Sequence, residues 1–155
     1  MSSELEVVVV SHGAAGLLRN CLRSLRENPP AVPTGVTVVD SGSPDDTPDM
    51  VEREFPEVRL IRMANVGFSA ANNEALEDAV NDPGCRMILL LNPDTEVRPG
   101  TIDAAVERLD SDSRIGMVGV RLVTADGSFD HASKRSFPTP LAALAHFTGL
   151  GRMPG

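Results

Sequence analysis

Four short runs of apolar, mostly β-branched residues punctuate the first two thirds of the chain: Leu5 to Val10, Val36 to Val39, Val58 to Ile61 and Met87 to Leu91. Each is close to continuous rather than alternating, the pattern of strands covered on both faces, as in a parallel sheet. Between the runs the period changes to three and four residues. Leu17, Leu18, Cys21, Leu22 and Leu25 share one expected helical face, with Arg19, Arg23 and Arg26 elsewhere. Ser43-Pro44-Asp45-Asp46 reads as an N-cap, a proline at the first helical position and acids in the first turn, opening a helix to about Phe55. A third helix is expected from Ser69 to about Val80, packing through Ala71, Ala75, Leu76, Ala79 and Val80. Pro99-Gly100-Thr101 opens a fourth, carrying Ile102, Ala105, Val106 and Leu109. Alternation at this spacing predicts right-handed βαβ units, hence an α/β fold with a mostly parallel sheet flanked by helices.

Beyond Leu109 the pattern weakens. Residues 116–123 offer a fifth strand and Asp126-Gly127 a turn. Residues 131–155 contain Lys134, Arg135 and Arg152 but no acid, and hold a short apolar stretch from Leu141 to Phe147. That stretch reads as a packing helix or as a segment facing a partner or membrane. The organisation expected is one α/β region over 1–130 followed by a basic tail over 131–155.

Each of the four strands runs into a small polar or glycine-bearing cluster: Ser11-His12-Gly13, Asp40-Ser41-Gly42-Ser43, Asn65-Val66-Gly67 and Asn92-Pro93-Asp94. Ligands of open α/β sheets bind beyond the carboxyl ends of the strands, so all four clusters would line one edge. That is the arrangement expected of a nucleotide or sugar-nucleotide site. The chain lacks GxGxxG after its first strand, lacks the GxxxxGK[ST] phosphate loop, and lacks GxSxG. A bound diphosphate would therefore need a divalent cation held by one or two carboxylates.

Composition narrows the partners. The 155 residues include 14 basic and 22 acidic side chains, a net charge of −8, which offers no basic footprint for nucleic acid. With five phenylalanines and no Trp or Tyr, the chain lacks the flat platforms of a lectin-like module or of single-strand nucleic-acid binding. Cys21 and Cys85 have no CxxC spacing and read as small buried hydrophobes in a reducing compartment. The acidic start and the lack of a long apolar run suggest a cytoplasmic protein.

Among single residues, Asp94 reads as a metal ligand or as part of an Asn-Pro-Asp turn. Asp40 reads as a partner for a ribose or base, or as a loop cap, and His12 as a loop residue rather than a catalytic base.

Taken together, four stretches resemble the N-terminal part of family 2 glycosyltransferases with the GT-A, nucleotide-diphospho-sugar transferase, fold. They are VVVVSHGAAGLLRNCLRSL (7–25), VTVVDSGSPDDTPDMV (36–51), FPEVRLIRMANVGFSAANNEAL (55–76) and MILLLNPDTEVRPGTIDAAVERL (87–109). The segment GMVGVRLVTADGSFDHASKRSFPTP (116–140) resembles the rhamnosyltransferase-like branch. The resemblance implies that Asp40 contacts the nucleoside of the donor. It implies that Ser11 and His12 lie where the first strand meets the base, and that Asn65, Gly67 and Asn72 shape the nucleotide pocket. It places Asn92-Pro93-Asp94 at the family's DxD motif, with Asp94 on a Mg2+ or Mn2+ ion at the diphosphate. Asn92 stands where the family has its first acid, which weakens the cation site.

The implied reaction is inverting transfer from a UDP- or dTDP-sugar, a deoxysugar such as rhamnose, to a glycan or lipid-linked acceptor of the cell envelope. The cation would neutralise the leaving diphosphate and a carboxylate would deprotonate the acceptor hydroxyl. Peripheral association with the inner face of a membrane is left open. The family's general base lies further along the chain than Asp130, the last acid here, so the expectation is a donor-binding portion with an incomplete C-terminal side and no assigned base. The competing reading is a non-catalytic α/β nucleotide-binding or interaction module; a sugar-nucleotide pyrophosphorylase fits less well, lacking that class's glycine-rich, lysine-bearing start.

Overall fold

The computed structural model describes residues 3–124 and 126–130. They fall into two compact units, Met1–Gly116 and Met117–Gly155. The first contains β1 (Leu5–Ser11), α1 (Ala15–Glu27), β2 (Thr34–Ser41), α2 (Thr47–Glu54), β3 (Arg59–Met63), α3 (Phe68–Asn81), β4 (Met87–Leu90) and α4 (Thr101–Asp110). The four strands form one sheet in the order β3-β2-β1-β4, and every neighbouring pair is parallel. The chain steps outward from β1 to β2 to β3 and then crosses back to the far side of β1. The strand order thus reverses between β1 and β4, the place where open α/β sheets form their binding crevice.

β1 shows why its valines run unbroken. Leu5, Val7 and Val9 pack on one side with Leu18, Leu22 and Leu25 of α1, Met50 and Val51 of α2, and Ile102 of α4. Val8 and Val10, with Val39 of β2, pack on the other against Ala71 and Ala75 of α3. Burying each such side chain contributes on the order of 1.5–3 kcal/mol, so alternation would forfeit half of the gain on a strand covered twice. The alanines of α3 carry no bulk to hold that helix off the sheet.

Four expectations are corrected. First, α2 begins at Thr47 rather than beside Ser43. Asp45 accepts from both the Thr47 N–H and its hydroxyl, and Ser43 is engaged by other strand ends, so the helix starts a turn later with Pro48 at its head. Second, two apolar residues fall off their expected faces: Leu17 is 54% exposed and Val80 73% exposed. Leu17 lies in the first turn of α1, and Val80 in the last turn of α3, one position beyond the buried Ala71, Ala75 and Ala79. Third, Cys85 is only partly buried, unlike Cys21, although both are free thiols. Fourth, residues 116–122 form no strand; Gly116 and Gly119 interrupt the run.

In the second unit the described residues form a turn. Val123 and Phe129 make an isolated antiparallel bridge, the Thr124 N–H donates to the Ser128 carbonyl at 2.9 Å, and Arg121 lies over the Phe129 ring. The tail over 131–155, with Leu141 to Phe147, lies outside the described residues. No helix among the described residues is long and apolar enough to cross a membrane.

Candidate functional site

The carboxyl ends of β1 and β2 meet in register, with Ser11 opposite Asp40 and, one strand further, Asp40 opposite Arg62. Ser11 and Asp40 are both buried, at 1% and 4% exposure. One carboxylate oxygen of Asp40, Oδ2, accepts from the Ser43 N–H at 3.2 Å. The other, Oδ1, and the Ser11 hydroxyl are buried with no hydrogen-bond partner among the described residues. Arg62 does not supply one, because its guanidinium is held by Asp49 at 2.9 Å and Glu52 at 2.8 Å. Nearly all buried polar atoms in folded proteins are bonded, so two such atoms on adjacent strand ends are unusual.

The loops above this pair are stitched together. His12 donates through Nδ1 to the Ser41 carbonyl at 2.9 Å, a bond to a carbonyl that fixes the proton on that nitrogen and leaves Nε2 free of it in the neutral ring. The Gly13 N–H donates to the Ser43 hydroxyl at 2.8 Å. His12 lies in the loop after β1, as expected, and is tied to β2 there; Ser43, expected as a helix cap, instead ties the first loop to the second. Gly42 has φ +69°, and a Cβ there would stand 3.1 Å from the Asn65 backbone nitrogen, so the second and third loops also touch.

Asn65 and Gly67 are exposed, and the Asn65 side chain accepts from the Gly67 N–H at 3.3 Å in an Asx turn that opens α3. Asn72 differs from them. It is 6% exposed, and its amide donates to the Phe68 carbonyl at 2.8 Å, which commits that nitrogen within the helix.

On the other side of β1, the Leu91 N–H donates to the Val8 carbonyl at 3.0 Å, carrying β4 into the loop with Asn92, Pro93 and Asp94. The Thr95 N–H donates to the Asn92 carbonyl at 3.1 Å and closes a turn around Pro93 and Asp94. Asp94 is exposed, and its carboxylate makes no hydrogen bond among the described residues. The loop is backed by α1. The Cys21 thiol points at the Asn92 carbonyl, 3.7 Å away. Burial, reinforced by the charges of Asp94 and Glu96, pushes this thiol up to about 12, so it stays protonated and able to donate. The Val97 N–H donates to the Ser24 hydroxyl at 2.8 Å, and the Val97 carbonyl accepts from Asn28 at 3.2 Å. Helical periodicity does not single out Ser24 or Asn28; the one signal in the sequence is a serine set among the leucines of the buried α1 face.

The described residues include no cluster of three or more His, Cys, Asp or Glu side chains fit to enclose a metal. Asp94 offers one hard oxygen donor, which suits a cation shared with phosphate oxygens and water rather than a closed protein cage. A cavity of about 510 Å3 lies at the opposite, amino edge of the sheet, lined by Ser3, Glu6, Gly35, Thr37, Arg59 and Asp78 among others. There both Glu6 oxygens accept from the Ser3 and Thr37 hydroxyls, and Arg59 is paired with Asp78. Among the described residues, the buried side-chain polar atoms left without partners, those of Ser11 and Asp40, are at the carboxyl edge instead.

The model of the family described as "Glycosyl transferase family 2" matches residues 6–151. The N-acetylglucosaminyl-diphospho-decaprenol L-rhamnosyltransferase of Mycobacterium tuberculosis, in strains CDC 1551 / Oshkosh and ATCC 25618 / H37Rv, is 30% identical over 154 residues, 94% of this chain. The chain spans about half the length of these relatives, 50% in each case. Among solved structures, S. aureus TarS 1–349 superposes with a TM-score of 0.59 at 21% identity, over 70% of this chain and 32% of that one. The mannosyltransferase PcManGT from Pyrobaculum calidifontis, in complex with GDP-Man and Mn2+, gives 0.59 at 25% identity, over 75% of this chain and 34% of that one. The sheet and its flanking helices are those of the GT-A fold. The chain belongs to glycosyl transferase family 2.

Proposed function

We propose that this chain is the donor-binding portion of an inverting glycosyltransferase. It takes a UDP- or dTDP-linked sugar, a deoxysugar such as rhamnose, and serves transfer to a glycan or lipid-linked acceptor. The observation that carries the donor assignment is the buried Ser11–Asp40 pair, an acceptor oxygen and a hydroxyl left unbonded side by side at the end of adjacent strands. A carboxylate oxygen in that position accepts from an N–H or hydroxyl, and the imide N–H of uracil or thymine and the ribose hydroxyls are such donors. The family membership and the lipid-linked rhamnosyltransferase relative support the reaction class and the acceptor.

Asp94 would hold the divalent cation, with Asn92 beside it as a neutral neighbour, and the chain's other contribution is positional. His12, Ser43, Gly42 and Asn65 keep three loops together above the nucleoside end, while the β4–α4 loop brings Asp94 from the other side of β1. When bound, Mg2+ or Mn2+ supplies positive charge to the leaving diphosphate. The PcManGT complex contains Mn2+, which supports a cation of this kind.

Calorimetric titration of UDP and dTDP, with and without Mn2+, tests this reading. Binding that tightens with Mn2+ in the wild type and loses that gain in Asp94→Ala is the expected result. No binding under either condition, or an undiminished Mn2+ gain in Asp94→Ala, overturns it.

A further inference from the structure

We propose that Ser24 of α1 and Asn28, the residue that caps the carboxyl end of α1, are positioning residues that hold the β4–α4 loop so that Asp94 is presented ready for the cation. The proposal rests on the assignment of Asp94 given above. Six residues, Asn92 to Val97, are fixed at both ends by one helix and its C-cap. At the near end the Cys21 thiol reaches the Asn92 carbonyl at 3.7 Å. At the far end both backbone groups of Val97 are taken by side chains of α1 and its C-cap: its N–H by the Ser24 hydroxyl at 2.8 Å, its carbonyl by the Asn28 amide at 3.2 Å. The Val97 side chain packs in the same core as Leu22, Leu25 and Ile102.

The three clamp residues are themselves linked. Ser24 donates to the Cys21 carbonyl at 2.7 Å, and Asn28 donates to the Ser24 carbonyl at 2.8 Å. Cys21 and Ser24 lie on one face of α1, and Asn28 is tied to its last turn through the Ser24 carbonyl, so the three contacts are carried by the helix and its cap. Ser24 is 8% exposed on a face otherwise built of Leu18, Cys21, Leu22 and Leu25. A hydroxyl is costly there unless bonded; this one donates within the helix and accepts from the loop. Between the two fixed ends, the Asp94 carboxylate makes no hydrogen bond among the described residues. Holding the backbone while leaving the carboxylate unspent places the ordering entropy of the ligand in the fold rather than in the binding step.

The experiment compares the full 155-residue chain with Ser24→Ala and Asn28→Ala, titrating UDP in Mn2+ and in EDTA, and UMP in EDTA. The readout is the ratio of UDP affinities with and without metal, alongside circular dichroism to confirm folding. A purely structural role lowers melting temperature but leaves that ratio unchanged in folded protein. A clamp lowers the ratio by about threefold to tenfold in both variants, roughly 0.7–1.4 kcal/mol, and leaves UMP affinity as in wild type. If wild type shows no metal gain, the Asp94 assignment fails and the proposal falls with it. If wild type shows the gain and a folded variant keeps it in full, this proposal alone is overturned. Should Ser24→Ala fail to fold, Asn28→Ala, whose residue is only partly buried, decides the question.

Discussion

Ser11 and Asp40 are register partners on β1 and β2, and each buries an oxygen that nothing among the described residues bonds. An unbonded buried polar group costs about 1–3 kcal/mol, so this arrangement weakens the unliganded fold; in the proposed function a donor N–H or hydroxyl of the nucleotide supplies the missing partners. Ser11 lies on β1 at the order reversal between β1 and β4 and Asp40 one strand away on β2, while the loop with Asp94 follows β4 on the other side of β1. The nucleoside and diphosphate ends of a donor would thus be read by opposite flanks of β1.

Asp40→Asn separates ligand binding from folding. An amide oxygen can still accept from the Ser43 N–H, while the unbonded Oδ1 becomes an NH2, which in the proposed site meets a donor of the nucleotide. Donor is then set against donor. The expected result is a melting temperature equal to wild type or higher, with UDP affinity reduced about 10- to 100-fold, from the loss of a charged hydrogen bond of roughly 1.5–3 kcal/mol. Calorimetry and thermal denaturation on the same sample check both halves.

Ser11→Ala removes a hydroxyl that is 1% exposed and unbonded. Because its partner is missing already, nothing is orphaned by the change. Stability is expected to rise by up to about 1 kcal/mol, against the usual direction for a buried substitution. Nucleotide affinity is expected to fall. A variant that is less stable and binds normally would show that the hydroxyl serves the fold.

The two thiols should behave differently toward alkali and thiol reagents. Cys21 is buried and its ionisation is pushed up to about 12, while Cys85 is partly exposed and raised by burial to a lesser extent. At pH 8, Ellman's reagent is expected to modify Cys85 first and Cys21 only on unfolding. The Cys21 shift is upward from an ordinary value of 9.0, so the unfolded chain ionises earlier than the folded one. Its contribution to stability is complete below pH 9 and is lost progressively between pH 9 and about 12. The chain has no Tyr and one Lys, so few other groups titrate there. Cys21→Ala should flatten the alkaline limb of a stability-versus-pH curve measured by urea denaturation.

The four strands, their parallel arrangement and the edge they share were legible because β-branched runs and turn residues act locally. Ser11, Asp40 and Asp94 were legible as positions at strand ends. Their states were not: whether Asp40 is capped, bonded or left open depends on Ser43, which is drawn to Gly13, thirty positions earlier in the chain. The same contact displaced the start of α2, since a Ser-Pro-Asp-Asp string satisfies helix-cap rules equally well in either role. Ser24 and Asn28 escaped notice because their partner, Val97, belongs to a segment some seventy residues away. Helical periodicity names the apolar stripe of α1 but does not locate where the sheet beneath it ends, and so it included Leu17.

Leu17 and Leu18, adjacent on α1, differ in burial alone and offer a paired test. Leu18 is fully buried against β1, α2 and the rest of the larger core, whereas Leu17 is 54% exposed. Leu18→Ala removes three methyl or methylene equivalents from a packed interior and leaves a cavity. It is expected to cost about 2.7–5 kcal/mol, while Leu17→Ala should lie within about 0.5 kcal/mol of wild type. Urea denaturation at fixed pH measures both. The comparison is internal, since the two substitutions are chemically identical and adjacent on one helix, so helix propensity cancels and only burial differs. Equal losses would mean that Leu17 is covered in the folded protein and that the first turn of α1 packs against something other than solvent.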